Sequence, residues 1–188
     1  MKKFFTTLSW SVMGIWIFHV LFLGTPVSAF EIPATKPVGY VNDFATMLTD
    51  DEKQNLETIL TTFQQTTSNE IVVVTVPSTG EIPIEMYANK LFRTWGIGDK
   101  DRNNGILFLI ARDDRHMRME VGYGLEGAVT DVLTKRIQDD VVAPSFKEGN
   151  YGVGITQGVD ALIQASRGEY TALPQKSQKS FPWELAYF

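Results

Sequence analysis

The stretch IVVVTVPSTGEIPIEMYANKLFRTWGIGDKDRNNGILFLI, residues 71–110, decides the fold. It opens with Ile71-Val72-Val73-Val74-Thr75-Val76, a wholly β-branched run too short for a helix and without alternation, which reads as a strand buried on both faces. Ile84, Tyr87, Ala88, Leu91, Phe92 and Trp95 then recur at helical spacing, and Gly96 closes that helix. Ile106-Leu107-Phe108-Leu109-Ile110 is a second buried strand. Strand, helix and strand in this order make a βαβ unit with parallel strands and an expected right-handed crossover.

Working outward, Thr49-Asp50-Asp51-Glu52 is a capping box that starts a helix, with Leu56, Ile59, Leu60 and Phe63 on its apolar face. On the other side, Met117-Arg118-Met119-Glu120-Val121 alternates with period two, so it is half exposed and pairs as a hairpin with the preceding strand. Thr130 caps a third helix carrying Leu133, Ile137 and Val141, and Ile155, Val159, Leu162 and Ile163 mark a fourth. The fold class is α/β: a three-layer α/β/α sandwich with a mixed central sheet.

The ends have a different character. Met1-Lys2-Lys3, an apolar run from Leu8 to Gly24 and Val27-Ser28-Ala29 have the three-part plan of a secretory signal over residues 1–29. An uncleaved membrane anchor is the other reading, and either puts the domain outside the cytoplasm, in a periplasm or cell envelope. Residues 30–37 read as a linker, 38–168 as the domain, and 169–188 as a polar linker with an apolar tail. That tail, Phe181-Pro182-Trp183-Glu184-Leu185-Ala186-Tyr187-Phe188, reads either as a frayed end or as the start of a membrane segment.

Composition removes several kinds of chemistry. The 188 residues carry 17 basic and 22 acidic side chains, and loss of the leader with Lys2 and Lys3 would leave 15 against 22, a charge of −7. Nucleic acid is not the expected partner of such a chain. It has no Cys, and His116 is the one histidine beyond the leader, so thiol nucleophiles, Cys/His zinc centres and haem are not expected. No GxSxG elbow accompanies His116.

Gly122-Tyr123-Gly124-Leu125-Glu126-Gly127 fits the GxGxxG pattern, but it follows a half-exposed strand, and Glu126 and Asp131 put negative charge where a pyrophosphate would sit. A tight turn, or glycines that admit a close backbone neighbour, is the reading preferred to a nucleotide site. Asp43, Asp113, Asp114, Glu126 and Asp131 all fall in loops or at helix starts beside strand ends, the oxygen donors that Ca²⁺ or Mg²⁺ requires. Turn formation and helix-start preference account for the same residues.

Taken in order, these segments resemble the TPM-domain family. Val41-Asn42-Asp43-Phe44-Ala45 with Leu48 is similar to its opening pattern, and Trp95-Gly96-Ile97-Gly98 with Asn103-Asn104-Gly105 to its middle. Asp114-Arg115, then Arg118-Met119-Glu120-Val121-Gly122-Tyr123-Gly124-Leu125-Glu126-Gly127 and Thr130-Asp131, resemble its signature. Pro144, Phe146, Gly149, Tyr151 and Gly158 resemble its close.

The resemblance implies an extracytoplasmic α/β/α sandwich, often membrane-tethered, with relatives linked to photosystem II repair in the thylakoid lumen and one branch assigned acid phosphatase activity. Two functions are implied. In the first, a module binds a divalent cation through Asp43, Glu126 and Asp131 and contacts a membrane-protein client through Asn104, Gly122, Tyr123 and Gly124. In the second, a metal-assisted phosphatase hydrolyses a phosphate ester with Asp131, Asp114 and Arg115 in the catalytic set, Arg115 pairing with phosphate oxygens.

Overall fold

The computed structural model describes residues 31–32 and 39–170. The expected leader at 1–29 and the apolar segment at 181–188 lie outside the described residues. Four strands form one sheet in the order β1 (Val41–Asp43), β2 (Glu70–Val76), β3 (Gly105–Ala111) and β4 (His116–Val121). The first three are parallel and β4 is antiparallel to β3, so the sheet is mixed as the alternation of 117–121 requires.

Helix α1 (Asp50–Thr67) starts at the capping box, where the Thr49 hydroxyl accepts from Glu52 N and the Glu52 carboxylate accepts from Thr49 N. Its Leu56, Leu60 and Phe63 are buried against Val41, Ile71, Val73 and Phe108. Helix α2 (Ile84–Trp95) buries Tyr87, Leu91 and Trp95 against Val72, Val74, Leu107 and Leu109. Odd and even positions of β2 therefore face different helices, which explains a run apolar on both sides.

This arrangement has a topological consequence. Both crossovers step in the same direction across the sheet, β1 to β2 and β2 to β3, yet α1 and α2 cover opposite faces. They are therefore of opposite hand, although such units are right-handed in about 98% of cases. The loops leaving β1 and β2 diverge, and Arg112 spans the gap between them, its backbone N–H donating to Val76 O at 3.0 Å and its Nη1 to the Ala45 carbonyl.

The third expected helix is broken into α3 (Asp131–Arg136), a π-helical stretch Ile137–Val142 and α4 (Ala143–Lys147). Pro144 has no N–H to donate to the carbonyl four residues back, and the ladder widens before it. Helix α5 (Tyr151–Ser166) then packs on the α1 face, with Ile155, Val159 and Leu162 fully buried.

The edge strand β1 has an additional clamp. Glu57 of α1 accepts from Tyr40 N at 2.7 Å and from Val41 N at 2.8 Å. Tyr40 O and Phe44 N bond to β2, so the intervening Val41 and Asp43 turn their backbone groups away from it.

Candidate functional site

The sheet separates the sequence-predicted residues into two ends. Asp43, Asp114 and Arg115 lie where the parallel strands finish, whereas Asn104, Gly122, Tyr123 and Gly124 lie where β2 and β3 begin and β4 finishes.

At the first end, Asp43 holds its own loop closed. Its Oδ1 accepts from Met47 N at 3.0 Å and from the Thr75 hydroxyl, and its Oδ2 accepts from Leu48 N at 2.9 Å. Asp114 accepts from Ser78 Oγ at 2.7 Å, Thr79 N at 2.8 Å and Thr79 Oγ1 at 3.2 Å. Burial alone would raise the Asp114 pKa, but these bonds and the nearby His116 charge hold it below the ordinary carboxylate value. Arg115 is exposed at the hairpin tip with φ of 55°, and its backbone N–H donates to Arg112 O at 3.2 Å.

At the other end, Asn104 is 5% exposed and bonded inward. Its Nδ2 donates to Ser68 O at 2.7 Å and to Asn69 Oδ1 at 3.2 Å, while its Oδ1 accepts from Asp99 N at 2.9 Å. Gly122 and Gly124 carry the same loop: a Cβ on Gly122 would lie 2.3 Å from Asn103 O, and one on Gly124 2.0 Å from Arg102 O. The motif glycines therefore admit a neighbouring segment of the chain's own backbone. Tyr123, between them, is 80% exposed.

The remaining acidic positions meet beside β4. A cleft of about 340 Å³ is lined by Arg118, Glu120, Val121, Glu126, Val129, Thr130 and Asp131. Glu120 is already engaged, accepting from Asn89 Nδ2 at 3.0 Å and pairing with Arg118 Nε at 3.3 Å. Glu126 and Asp131 are exposed, and among the described residues neither carboxylate has a hydrogen-bond or ion-pair partner. Asp131 also occupies the first turn of α3, where the helix dipole favours a carboxylate.

The structure thus places Glu126 and Asp131 in one cleft, with Glu120, and leaves Asp43 and Asp114 elsewhere. Asp43 lines a groove of about 810 Å³ along β1 and α1, and Asp114 a cleft of about 600 Å³ with Thr79 and His116. Among the described residues, no cluster of three or more Asp, Glu, His or Cys side chains is close enough to enclose a metal ion. Glu126 and Asp131 are the carboxylates left unengaged in that cleft, since Asn89 and Arg118 hold Glu120. Ca²⁺ takes six to eight oxygens, so water or a partner would have to supply the rest.

Sequence reasoning missed Arg112, Ser78 and Thr79, which organise the first end, and Arg118 and Glu120, which line the cleft. Position was the available signal: Ser78 and Arg112 follow the carboxyl ends of buried parallel strands. Arg118 and Glu120 are two apart on an alternating strand and so share a face.

The TPM-domain family model matches residues 41–165, and the chain belongs to that family. The N-terminal domain of a protein from P. gingivalis is 39% identical, with a TM-score of 0.65 over 69% of this chain and 82% of that one. BA42 from the psychrophilic bacterium Bizionia argentinensis is 22% identical, with a TM-score of 0.58 over 69% of this chain and 88% of its own. The N-terminal domain of cg2496 from Corynebacterium glutamicum shares the fold at 11% identity, with a TM-score of 0.55 over 79% of this chain and 94% of that one. Comparison with curated proteins gives no match.

Proposed function

We propose that this TPM-domain chain is an exported, membrane-associated module that binds Ca²⁺ or Mg²⁺ and assists the maintenance or assembly of a membrane-protein client. The observation that carries the reading is the pair of unengaged carboxylates, Glu126 and Asp131, in the open cleft beside β4. Such a site is half built, and a cation held there keeps coordination positions for an acidic group on the client. Export rests on the three-part leader in the sequence.

The second reading is metal-assisted phosphomonoester hydrolysis by Asp131, Asp114 and Arg115. It ranks lower because Asp114 and Asp131 line different clefts, whereas a reaction centre needs its groups within a few ångströms of one substrate. Calorimetric titration of the full chain and its Glu126→Gln and Asp131→Asn variants with Ca²⁺ and Mg²⁺ tests the binding reading. Saturable binding weakened in both variants is expected, and wild-type-like binding in both would overturn it. Metal-dependent phosphatase turnover that is lost in Asp131→Asn and Asp114→Asn would put the second reading first.

A further inference from the structure

The groove of about 810 Å³ follows the outer edge of β1 rather than one face of the sheet. Lys53, Glu57 and Thr58 of α1 line it from one side. Asn42 and Phe44 line it as well, and they alternate onto the other face, where the Phe44 ring meets Trp95 of α2 edge-on at 6.5 Å.

Along this edge the backbone offers a particular pair of groups. Glu57 occupies the Val41 N–H at 2.8 Å, which leaves the Val41 C=O and the Asp43 N–H turned outward. A strand added antiparallel at Val41 would need both groups of that one residue. One residue of a parallel partner needs instead the C=O of Val41 and the N–H of Asp43. That residue would stand opposite Asn42, with its side chain on the same face. Asn42 is 5% exposed, and its Nδ2 has no hydrogen-bond partner among the described residues. A buried donor without an acceptor is an exception in folded proteins, and here it lies where an incoming side chain would bring one.

The groove is also acidic. Asp43, Asp50 and Glu57 line it, against Lys53 as the one basic residue of the lining. Among the described residues none of the three carboxylates makes an ion pair. Those of Asp43 and Glu57 accept from backbone N–H groups and the Thr75 hydroxyl, which leaves their charge uncancelled, and Asp43 meets the Arg112 charge only at longer range.

The geometry points to a partner polypeptide that adds a short extended segment parallel to β1. The segment carries a side-chain oxygen beside Asn42 and Lys or Arg at the two flanking positions, which alternation turns toward Asp50 and Glu57 of α1. Two ladder bonds hold a strand weakly, and the charge of the groove supplies the rest. The inference stands apart from the cation-binding reading, which concerns the cleft beside β4 at the opposite edge of the sheet.

The probe is a short peptide alternating lysine and asparagine, blocked at both ends and titrated into the isotope-labelled full chain. Saturable binding is expected, with the Asp43 amide signal shifted and its hydrogen exchange slowed severalfold. Affinity should fall severalfold in Asp50→Asn and in Asn42→Ala. Both changes remove groups without a partner among the described residues, so the fold is expected to survive them. Binding should be lost when the peptide is N-methylated at its asparagines, which removes the N–H meant for Val41, or when its lysines are replaced by glutamate. Undiminished binding of the N-methylated peptide would leave charge attraction without strand addition and overturn the inference. Unchanged affinity in both variants, shifts confined to the surroundings of Glu126 and Asp131, or no binding at all would overturn it too. None of these outcomes bears on calcium titration of the Glu126–Asp131 cleft, so the two readings fail separately.

Discussion

Asp114 and Ser78, from loops that follow different strands, are joined by a hydrogen bond of 2.7 Å, and the adjacent Thr79 N–H donates to the same carboxylate at 2.8 Å. The β3–β4 hairpin is thereby fastened to the loop that starts α2. Because the bonds favour the ionised form, the pair makes stability depend on pH.

The folded-state pKa of Asp114 lies below its ordinary value. Its contribution is therefore present above the usual aspartate range near pH 3.9 and lost as pH falls through the lowered folded value. Asp114→Asn is expected to reduce stability at pH 7 by about 1 kcal/mol, since the group is only partly shielded from water. Urea unfolding of both proteins at neutral pH and again well below pH 3 checks the sign: the difference between them should shrink at the acid end.

The glycine motif divides into required and free positions. Alanine at Gly124 would press its Cβ against Arg102 O and at Gly122 against Asn103 O, whereas a Cβ on Gly127 meets nothing within 4 Å. Gly124→Ala and Gly122→Ala are each expected to lower stability by about 3 kcal/mol, and Gly127→Ala to stay within about 0.5 kcal/mol of the parent. Thermal denaturation of the three variants decides it, and equal effects would contradict the close-approach reading.

Asn104 joins the α1 cap to the loop before β3. Its truncation in Asn104→Ala strands Asp99 N and Ser68 O without their partner and is expected to cost about 2–3 kcal/mol. Amide hydrogen exchange should also show faster opening of residues 96–104, with the middle of β2 unchanged.

Arg118 pairs with Glu120 in the cleft that also holds Glu126 and Asp131, so under the proposed cation-binding reading it competes with the ion. Replacing it in Arg118→Met removes a positive charge and releases one Glu120 oxygen. Divalent-cation affinity should rise roughly fivefold, the equivalent of about 1 kcal/mol at a partly exposed site. A fall in affinity by calorimetry would place the cation elsewhere.

Much of this architecture is legible in the residues. The runs at 71–76 and 106–110, the Thr49 capping box and the alternation at 117–121 predict β2, β3, α1 and β4, because each pattern is local and matches one period. Strand β1 escapes such reading: Val41-Asn42-Asp43 has no periodicity, and its strand geometry comes from pairing with Val73, Val74 and Thr75. The π-helical stretch escapes it too, since Leu133, Ile137 and Val141 keep the spacing of an ordinary helix. The relative hand of the two crossovers depends on which face each helix covers, and that is settled only by packing.

The site was legible in parts. The acids were identifiable as loop carboxylates, but whether an oxygen is free depends on neighbours distant in sequence. Thr75 reaches Asp43, Ser78 reaches Asp114 and Arg118 pairs with Glu120, while Glu126 and Asp131 are left over.

The Glu57 clamp on β1 bears on how the protein behaves in a crowd. An edge strand recruits another copy by offering a row of free amides and carbonyls. Here the row is three residues long, and the carboxylate already occupies the amide of Val41, leaving that of Asp43 as the outward donor within β1. A second sheet edge finds too few points of attachment to stack, so the β1 side resists fibrillar self-assembly without a proline or a bulge to block it.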